Sequence, residues 1–217
     1  MAKIGVFDSG VGGQSVATAL QTAFPNDEVI FVHDNANVPY GTKTEKEILT
    51  LALPKLKDLK MRGCELIVIA CNSLSTSVLP ELKKSLPAVK LIPVEPMLEE
   101  ALAITKTGIV TVCATPRTLS SGRYADLMKR YCQNSVVIEP DCSEWAYMIE
   151  KNLVDRARIK VVVEDSLEQG SDVIVLGCTH YHWIEKLIKE IVANKAEVIQ
   201  PENKIISRVR KELARLG

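Results

Sequence analysis

The sequence lacks a block of charge of one sign and lacks a long apolar run. Lys and Arg together number 27 among 217 residues, Asp and Glu also number 27, and the formal net charge is zero. A chain without a basic block predicts no nucleic-acid partner and no binding to an anionic membrane surface. No apolar run reaches the roughly 20 residues that span a bilayer. These absences leave a small molecule as the predicted partner.

The sequence also lacks the patterns of exported and redox-active proteins. None of the six cysteines forms a Cys-x-x-Cys pair or has an evident resolving partner, which argues against a thiol-disulfide or peroxide enzyme. The amino terminus shows neither the apolar region nor the cleavage site of a signal peptide. Reduced thiols in a cytoplasmic protein are therefore expected.

A repeat of about 107 residues organises the chain. Cys178 lies 107 residues after Cys71, and the same shift aligns segment 63–73 with segment 170–180 without a gap. The shift also aligns two shorter pairs of segments, 29–34 with 136–141 and 91–93 with 198–200. If two like halves pack about a pseudo-twofold axis, equivalent strand ends meet at their interface. The two cysteines are therefore predicted to flank one ligand.

Short apolar runs alternate with helical patterns along the chain. Such runs are typical of parallel strands that are covered on both faces. The predicted strands are Ile4–Phe7, Val29–His33, Leu66–Ala70, Lys90–Val94, Gly108–Cys113, Val136–Glu139, Val173–Gly177 and Glu197–Ile199. Among the predicted helices is a continuous one over Ser75–Leu86. The pattern predicts an α/β fold with layers joined by right-handed crossovers.

The repeat divides this α/β fold into two similar domains with mainly parallel sheets. Residues 1–94 are predicted to form the first domain and residues 95–202 the second, while residues 203–217 are expected to pack back onto the first. Ligands of open α/β sheets bind beyond the carboxyl ends of the strands. The active site is therefore expected in the cleft between the two domains.

A glycine-rich turn follows the first predicted strand. Its sequence is Asp8-Ser9-Gly10-Val11-Gly12-Gly13, and its N–H groups at a helix start suit an anion. A dinucleotide site would need glycine at position 15, where Ser15 stands, so an ordinary tight turn is the alternative. An Asp-Ser pair at a strand end nevertheless predicts a polar site, because a buried carboxylate needs partners.

Each of the two matched cysteines ends an apolar strand and precedes polar residues. Cys71 is followed by Asn72-Ser73, and Cys178 is followed by Thr179-His180. A helix amino end at these points lowers the pKa of a thiol, so the pair is predicted to carry chemistry. The remaining cysteines are interpreted as structural: Cys64, Cys113, Cys132 and Cys142.

A metal site is the alternative at the second cysteine. Cys178, His180 and His182 alternate, so an extended backbone would place all three on one face and could bind zinc. No fourth ligand is evident, and zinc would leave Cys71 unexplained. His182 is interpreted as a surface or capping residue, whereas His180 is a candidate proton partner or a residue that orients a thiol.

A Pro/Gly loop, Val38-Pro39-Tyr40-Gly41-Thr42, follows the second predicted strand and so lies at the same sheet edge. It is either an ordinary turn or part of the site. In the second case the Tyr40 hydroxyl and the N–H groups of the loop are expected to bind a carboxylate.

Taken together, these motifs resemble the cofactor-independent aspartate/glutamate racemase family over about Ile4 to Arg208. The resemblance is carried by Phe7 to Gly13, Val38 to Thr42, Ala70-Cys71-Asn72 and Leu176-Gly177-Cys178-Thr179-His180-Tyr181. It implies two α/β domains, no cofactor, no metal and a homodimer. It also implies racemisation of glutamate, which supplies D-glutamate for the bacterial cell wall. An aspartate or other amino-acid racemase, or a related thiol-dependent lyase, is the alternative.

The resemblance further implies roles for individual residues. Cys71 and Cys178 would be the two acid/base residues, with Asp8 assisting the first thiol, and Glu150 and His180 assisting the second. The residues that would hold the substrate are Asp8, Ser9, Pro39, Tyr40, Gly41, Cys71, Asn72, Ser73, Cys178, Thr179 and His180. Members of the family usually have Thr at Ser73, a small residue at Leu74, Pro at His182 and Asp-Ser at Gln200-Pro201.

The chemistry of two opposed thiols agrees with this resemblance. Inversion of an α-carbon requires a base on one face and an acid on the other. A thiol with a pKa of about 8.5 costs roughly 2 kcal/mol to ionise at pH 7, which a helix end or a cation can offset. A decarboxylase would need only one such cysteine, and an amino-acid-binding protein without activity would need none.

Overall fold

The apolar runs of the two halves form two separate parallel sheets in the computed structural model, which describes residues 1–216. The strands are β1 Lys3–Asp8, β2 Glu28–His33, β3 Leu66–Ile69, β4 Lys90–Pro93, β5 Ile109–Cys113, β6 Val136–Ile138, β7 Val173–Leu176 and β8 Glu197–Ile199. The first sheet has the order β2-β1-β3-β4 and the second β6-β5-β7-β8, so both halves share one topology. The predicted α/β fold with parallel sheets is confirmed.

Helices cover both faces of each sheet. They are α1 Gly13–Ala23, α2 Glu45–Met61, α3 Asn72–Ser77, α4 Leu79–Ser85, α5 Leu98–Ile104, α6 Pro116–Leu119, α7 Gly122–Tyr131, α8 Trp145–Glu150, α9 Arg156–Glu168, α10 Glu185–Val192 and α11 Glu202–Leu216. Two 3-10 helices, Tyr40–Thr42 and Thr179–Ile184, complete the described structure. None of the helices within residues 1–216 has the length and apolar character required to cross a membrane.

Alternating side chains of the strands pack into different layers. In β3, Ile67 and Ile69 face the cluster that contains the buried residues of α2, while Leu66 and Val68 face the opposite cluster. This two-residue period follows from strand geometry and explains why β3 is apolar throughout. The second cluster also includes side chains of α1 and α11, so the last helix packs on the first sheet. The exact domain boundaries remain predictions.

The predicted continuous helix over Ser75–Leu86 is wrong. A helix begins earlier, at Asn72, and ends at Ser77, and a second one runs over Leu79–Ser85. Val78 separates them with φ −130° and ψ 17°. Proline cannot donate an N–H, and its ring clashes with the carbonyl four residues earlier, so Pro80 at the start of α4 favours a break at this point. The early start places Cys71 directly at the amino end of α3.

Candidate active site

The two matched cysteines lie just beyond the carboxyl ends of β3 and β7. Both are buried, with Cys71 4% and Cys178 7% exposed. They line the same cavity between the halves, which has a volume of about 10 Å³. The cavity is lined by Ser9, Pro39, Tyr40, Gly41, Cys71, Asn72, Ser73, Thr115, Ala146, Cys178, Thr179 and His180. Space for about one water molecule does not admit an amino acid, so the site is closed in this conformation.

The surroundings of Cys71 favour the protonated thiol. Burial raises the pKa of Cys71, and the nearby Asp8 carboxylate raises it further. A contact with the Ser9 hydroxyl, 3.6 Å from Sγ to Oγ, and the N–H of Leu74 act in the opposite direction. The expectation that a helix end lowers this pKa is therefore wrong, because burial and an adjacent anion outweigh the amino end of a short helix.

The surroundings of Cys178 instead contain a cation. Its Sγ lies 3.8 Å from Nδ1 of His180, and Nε2 of that ring lies 2.7 Å from Oε2 of Glu150. Burial lowers the pKa of His180, but its bonds to Cys178 and Glu150 outweigh burial and raise the pKa to about 10. The bond to His180 in turn lowers the pKa of Glu150. The ring is thus protonated at neutral pH, beside the thiol.

The glycine-rich turn packs against this pair. A Cβ added at Gly10 would lie 2.6 Å from Oε2 of Glu150 and 2.8 Å from Nε2 of His180. The absence of a side chain there lets Glu150 reach the backbone of the first half, where the Val11 N–H donates to its Oε2 at 3.2 Å. The Gly13 N–H donates to the Asp8 carboxylate at 2.6 Å. With these donors committed to carboxylates, the turn is built for contact between halves rather than for a nucleotide phosphate.

Asp8 bridges the halves and keeps one oxygen free. Its Oδ2 also accepts a hydrogen bond from the Thr179 hydroxyl at 3.2 Å. Its Oδ1 is buried and has no hydrogen-bond partner within residues 1–216. Asp8 itself does not line the cavity, but its charge acts on Cys71. Buried polar atoms are normally paired, so the free oxygen keeps Asp8 a candidate site residue.

The amide of Asn72 and the hydroxyls of Ser73 and Thr115 also line the cavity. Both polar side-chain atoms of Asn72 are buried without partners among the described residues. Ser73 Oγ lies 2.9 Å from Oγ1 of Thr115, which belongs to the other half. Thr115 was missed by the sequence analysis, as was the lining residue Ala146. The repeat held the signal for Thr115, because it lies 107 residues after Asp8.

The role expected for the Tyr40 hydroxyl is wrong. The hydroxyl donates to Oδ2 of Asp34 at 2.8 Å, and Tyr40 is only 1% exposed. Burial and this bond raise the pKa of Tyr40 well above its ordinary value. The side chain therefore anchors the Pro39–Gly41 loop to the end of β2, and the hydroxyl is not available to a substrate. Asp34, the buried acceptor, was not identified from the sequence.

The interpretation of His182 as a surface or capping residue is also wrong. Its side chain is 3% exposed, and its Nδ1 lies 3.1 Å from the Ser15 hydroxyl oxygen. Because Thr179–Ile184 is a 3-10 helix and not an extended segment, His182 does not share a face with Cys178 and His180. Across residues 1–216, no three His, Cys, Asp or Glu side chains are grouped to hold a metal ion.

The sequence matches the model of the family described as Asp/Glu/Hydantoin racemase over residues 13–203. It is 34% identical to a glutamate racemase of Pseudomonas paraeruginosa, with 98% of this chain and 82% of the relative covered. It is 33% identical to a glutamate racemase of Clostridium perfringens, with 98% and 83% covered. The matches extend over nearly the whole chain.

Solved structures show the same likeness. A glutamate racemase of Escherichia coli, in complex with L-glutamate and the activator UDP-MurNAc-Ala, has a TM-score of 0.88 at 27% identity, with 97% of this chain and 81% of that chain covered. One from Francisella tularensis, in complex with D-glutamate, has a TM-score of 0.82 at 29% identity, with 99% and 81% covered. The two-sheet arrangement is therefore shared with these structures.

Proposed function

Since the chain belongs to the Asp/Glu/Hydantoin racemase family, we propose that it interconverts L- and D-glutamate without a cofactor, with Cys71 and Cys178 as the two acid/base residues. The observation that carries the proposal is the position of both thiols at one cavity, each at the end of the equivalent strand of its half. The names of the relatives, and the glutamate bound in two of the solved structures, support glutamate as the substrate.

Each thiol has its own partner for proton transfer. The protonated His180 stabilises a thiolate at Cys178, which removes the α-proton of L-glutamate. Cys71, held as a thiol, returns a proton to the opposite face. In the reverse direction Cys71 is the base toward D-glutamate, and the nearby Asp8 carboxylate assists the loss of its proton. This arrangement supplies a base and an acid on opposite faces of one carbon.

The α-hydrogen is a weak acid, so the negative charge that develops on the substrate must be stabilised. We assign this task to fixed hydrogen-bond donors around the cavity, among them the amide of Asn72 and the hydroxyls of Ser73 and Thr179. Preorganised donors are most effective where water is excluded, and the cavity, of about 10 Å³, leaves room for about one water molecule. Asp8, which does not line the cavity, contributes through its charge, because a buried carboxylate beside the site favours the substrate ammonium group.

The direct test is incubation of the purified protein with L- and D-glutamate and with L- and D-aspartate in deuterium oxide. Proton NMR follows exchange at the α-carbon, and optical rotation follows inversion. We expect both enantiomers of glutamate to exchange and invert, at least tenfold faster than aspartate, a difference of about 1.4 kcal/mol in transition-state binding. Equal rates, or faster turnover of aspartate, would contradict glutamate as the preferred substrate and would support the alternative, an aspartate or other amino-acid racemase. No exchange with any of the four would contradict a racemase.

The proposed role in the cell is the supply of D-glutamate for peptidoglycan, in the cytoplasm and as a homodimer. Expression in a bacterial strain that requires external D-glutamate tests the first part, since a functional enzyme removes the requirement. A Cys178→Ser variant is the matched control, because it changes one sulfur to oxygen and removes one of the two proposed acid/base groups. Sedimentation of the purified protein measures the dimer separately.

A further inference from the structure

His182 joins three separate elements at the junction of the two halves. It lies in the 3-10 helix Thr179–Ile184, which directly follows Cys178. Its Nδ1 is 3.1 Å from Oγ of Ser15 on α1 and 3.6 Å from Oε1 of Glu202 at the start of α11. Both α1 and α11 pack on the first sheet. The buried His182 ring therefore connects the turn Thr179–Ile184, which carries His180, to the helices α1 and α11.

The hydrogen-bond network assigns the tautomer of this ring. The Ser15 hydroxyl lies 3.3 Å from the Gly12 carbonyl and 3.1 Å from Nδ1 of His182, and it contributes to lowering the pKa of Glu202. Nδ1 is also the nitrogen that faces the Glu202 carboxylate, which can only accept, so the hydrogen of the neutral ring is placed on Nδ1. Nε2 is buried and meets no hydrogen-bond partner in the described part of the chain. Only the Nδ1 edge of the ring makes polar contacts.

The contact with His182 favours the charged form of Glu202. This contact, 3.6 Å from Nδ1 to Oε1, is the main cause that lowers the pKa of Glu202, ahead of contributions from Gln200 and Ser15. Gln200 also accepts from the Glu202 N–H at 2.8 Å, which fixes the first turn of α11. A buried group with a directed bond of this kind is costly to misplace, because a broken bond leaves polar atoms unpaired away from water.

We infer that His182 is a positioning residue, which holds the turn Thr179–Ile184 against α1 through Ser15 and Glu202 and so sets the placement of Cys178 and His180 relative to the first half. The inference rests on the proposed racemase function. The turn packs against Gly12, the residue just before α1. A Cβ added at Gly12 would lie 2.6 Å from the backbone nitrogen of His180, so little displacement of the turn is tolerated there. A displacement of about 1 Å at a catalytic group can reduce a rate by 10²-fold.

This role predicts an effect on one face of the reaction only. Racemisation uses both thiols in every turnover and cannot separate them. Elimination can, because a glutamate with a hydroxyl group on Cβ loses its α-proton to one thiolate while the hydroxyl leaves as water. The enamine that forms hydrolyses to a 2-oxo acid and ammonia. The enantiomer that a Cys71→Ser variant still converts reports the Cys178 face, and the other enantiomer reports the Cys71 face.

Two matched variants test the contact itself. In His182→Asn the amide nitrogen replaces Nδ1 and keeps the bonds to Ser15 and Glu202, whereas in His182→Gln it replaces Nε2 and loses them. We expect His182→Gln to reduce elimination at the Cys178 face about tenfold and to change the Cys71 face less than twofold. His182→Asn should stay within about threefold of the native protein at both faces. Ser15→Ala, which removes the acceptor from the other half, should reproduce the pattern of His182→Gln.

Hydrogen exchange of the amides of Thr179–Ile184 provides a second measurement that does not depend on activity. Exchange should be faster in His182→Gln than in His182→Asn. Equal losses at both faces, matched by a fall in melting temperature, would show a purely structural role and overturn the inference. Unchanged elimination despite faster exchange would also overturn it. If the native protein neither racemises nor eliminates, the proposed function itself is wrong, while the exchange result still reports on the contact.

Discussion

The two thiols occupy equivalent places in a repeated fold, yet their surroundings are electrically opposite. Cys71 lies near the Asp8 carboxylate and the Ser9 hydroxyl, and burial raises its pKa. Cys178 lies beside a protonated His180, which is held by Glu150. The comparison shows that repetition of the backbone fixes where reactive groups stand, whereas the neighbours of each group decide its proton content. An anion therefore stands near one thiol and a cation beside the other.

A similar difference between charged and neutral groups appears at β1 and β5, the strands that pair with β3 and β7. The end of β1 supplies Asp8, and the matching position after β5 supplies Thr115. Asp8 acts on a thiol through its charge, while Thr115 bonds to Ser73 and Thr118 as a neutral hydroxyl. Strand ends that share a backbone position therefore carry a charged side chain in one half and a neutral hydrogen-bonding side chain in the other.

The largest expected effect comes from removal of either thiol. Cys71→Ser and Cys178→Ser should each reduce racemisation by about 10³-fold or more, because a serine hydroxyl is neither a usable base nor an adequate acid at neutral pH. Rates measured by circular dichroism of the glutamate solution test this. Cys132→Ser is the matched control, since Cys132 is a free cysteine outside the cavity, and it should stay within about twofold. Full activity in Cys71→Ser or Cys178→Ser would contradict an acid/base role for that thiol.

The partners of Cys178 should matter less than the thiol. Glu150→Gln keeps a hydrogen-bond acceptor for His180 but removes the charge that favours its protonated form. We expect racemisation to fall about tenfold, and about 10²-fold in His180→Asn, in the range of general acid-base effects. Steady-state rates over pH 6 to 10 provide the measurement. A larger loss in Glu150→Gln than in His180→Asn would contradict the order in which these residues act.

The ion pair also predicts how stability changes with pH. The pKa of His180 is raised from 6.5 to about 10, so its stabilising contribution is complete below pH 6.5 and is lost as the pH rises toward 10. A charged hydrogen bond of this type contributes about 1.5–3 kcal/mol. The free energy of unfolding in urea should therefore fall between pH 6.5 and 10, and Glu150→Gln should reduce the fall. A curve of equal slope in both proteins would rule out this assignment.

The smallest expected effect is that of metal and cofactor removal. Because the proposed acid and base are the two thiols, treatment with EDTA and preparation without pyridoxal phosphate should leave the rate unchanged within error. Loss of activity with EDTA, restored by added zinc, would revive a metal site at Cys178, His180 and His182.

The sequence predicts the parts of this molecule that depend on local pattern. Periodicity and the 107-residue shift locate the strands and both thiols, because each strand is apolar on both faces and ends at a polar group. Pairings between the halves are not available from pattern. The partners of His182 lie 167 residues before it and at the start of α11, and the partner of the Tyr40 hydroxyl is a carboxylate at the end of another element. The residues next to His182 and Tyr40 in the sequence do not indicate that either side chain has a hydrogen-bond partner.

The most direct test of the two-thiol account is elimination from the two enantiomers of a Cβ-hydroxylated glutamate by the Cys71→Ser and Cys178→Ser variants. Only one base is needed for this reaction, so each variant retains one working face. The account predicts that Cys71→Ser converts only the L enantiomer and Cys178→Ser only the D enantiomer, with formation of the 2-oxo acid as the readout. Loss of both enantiomers in both variants, or the same preference in both, would contradict two thiols acting on opposite faces.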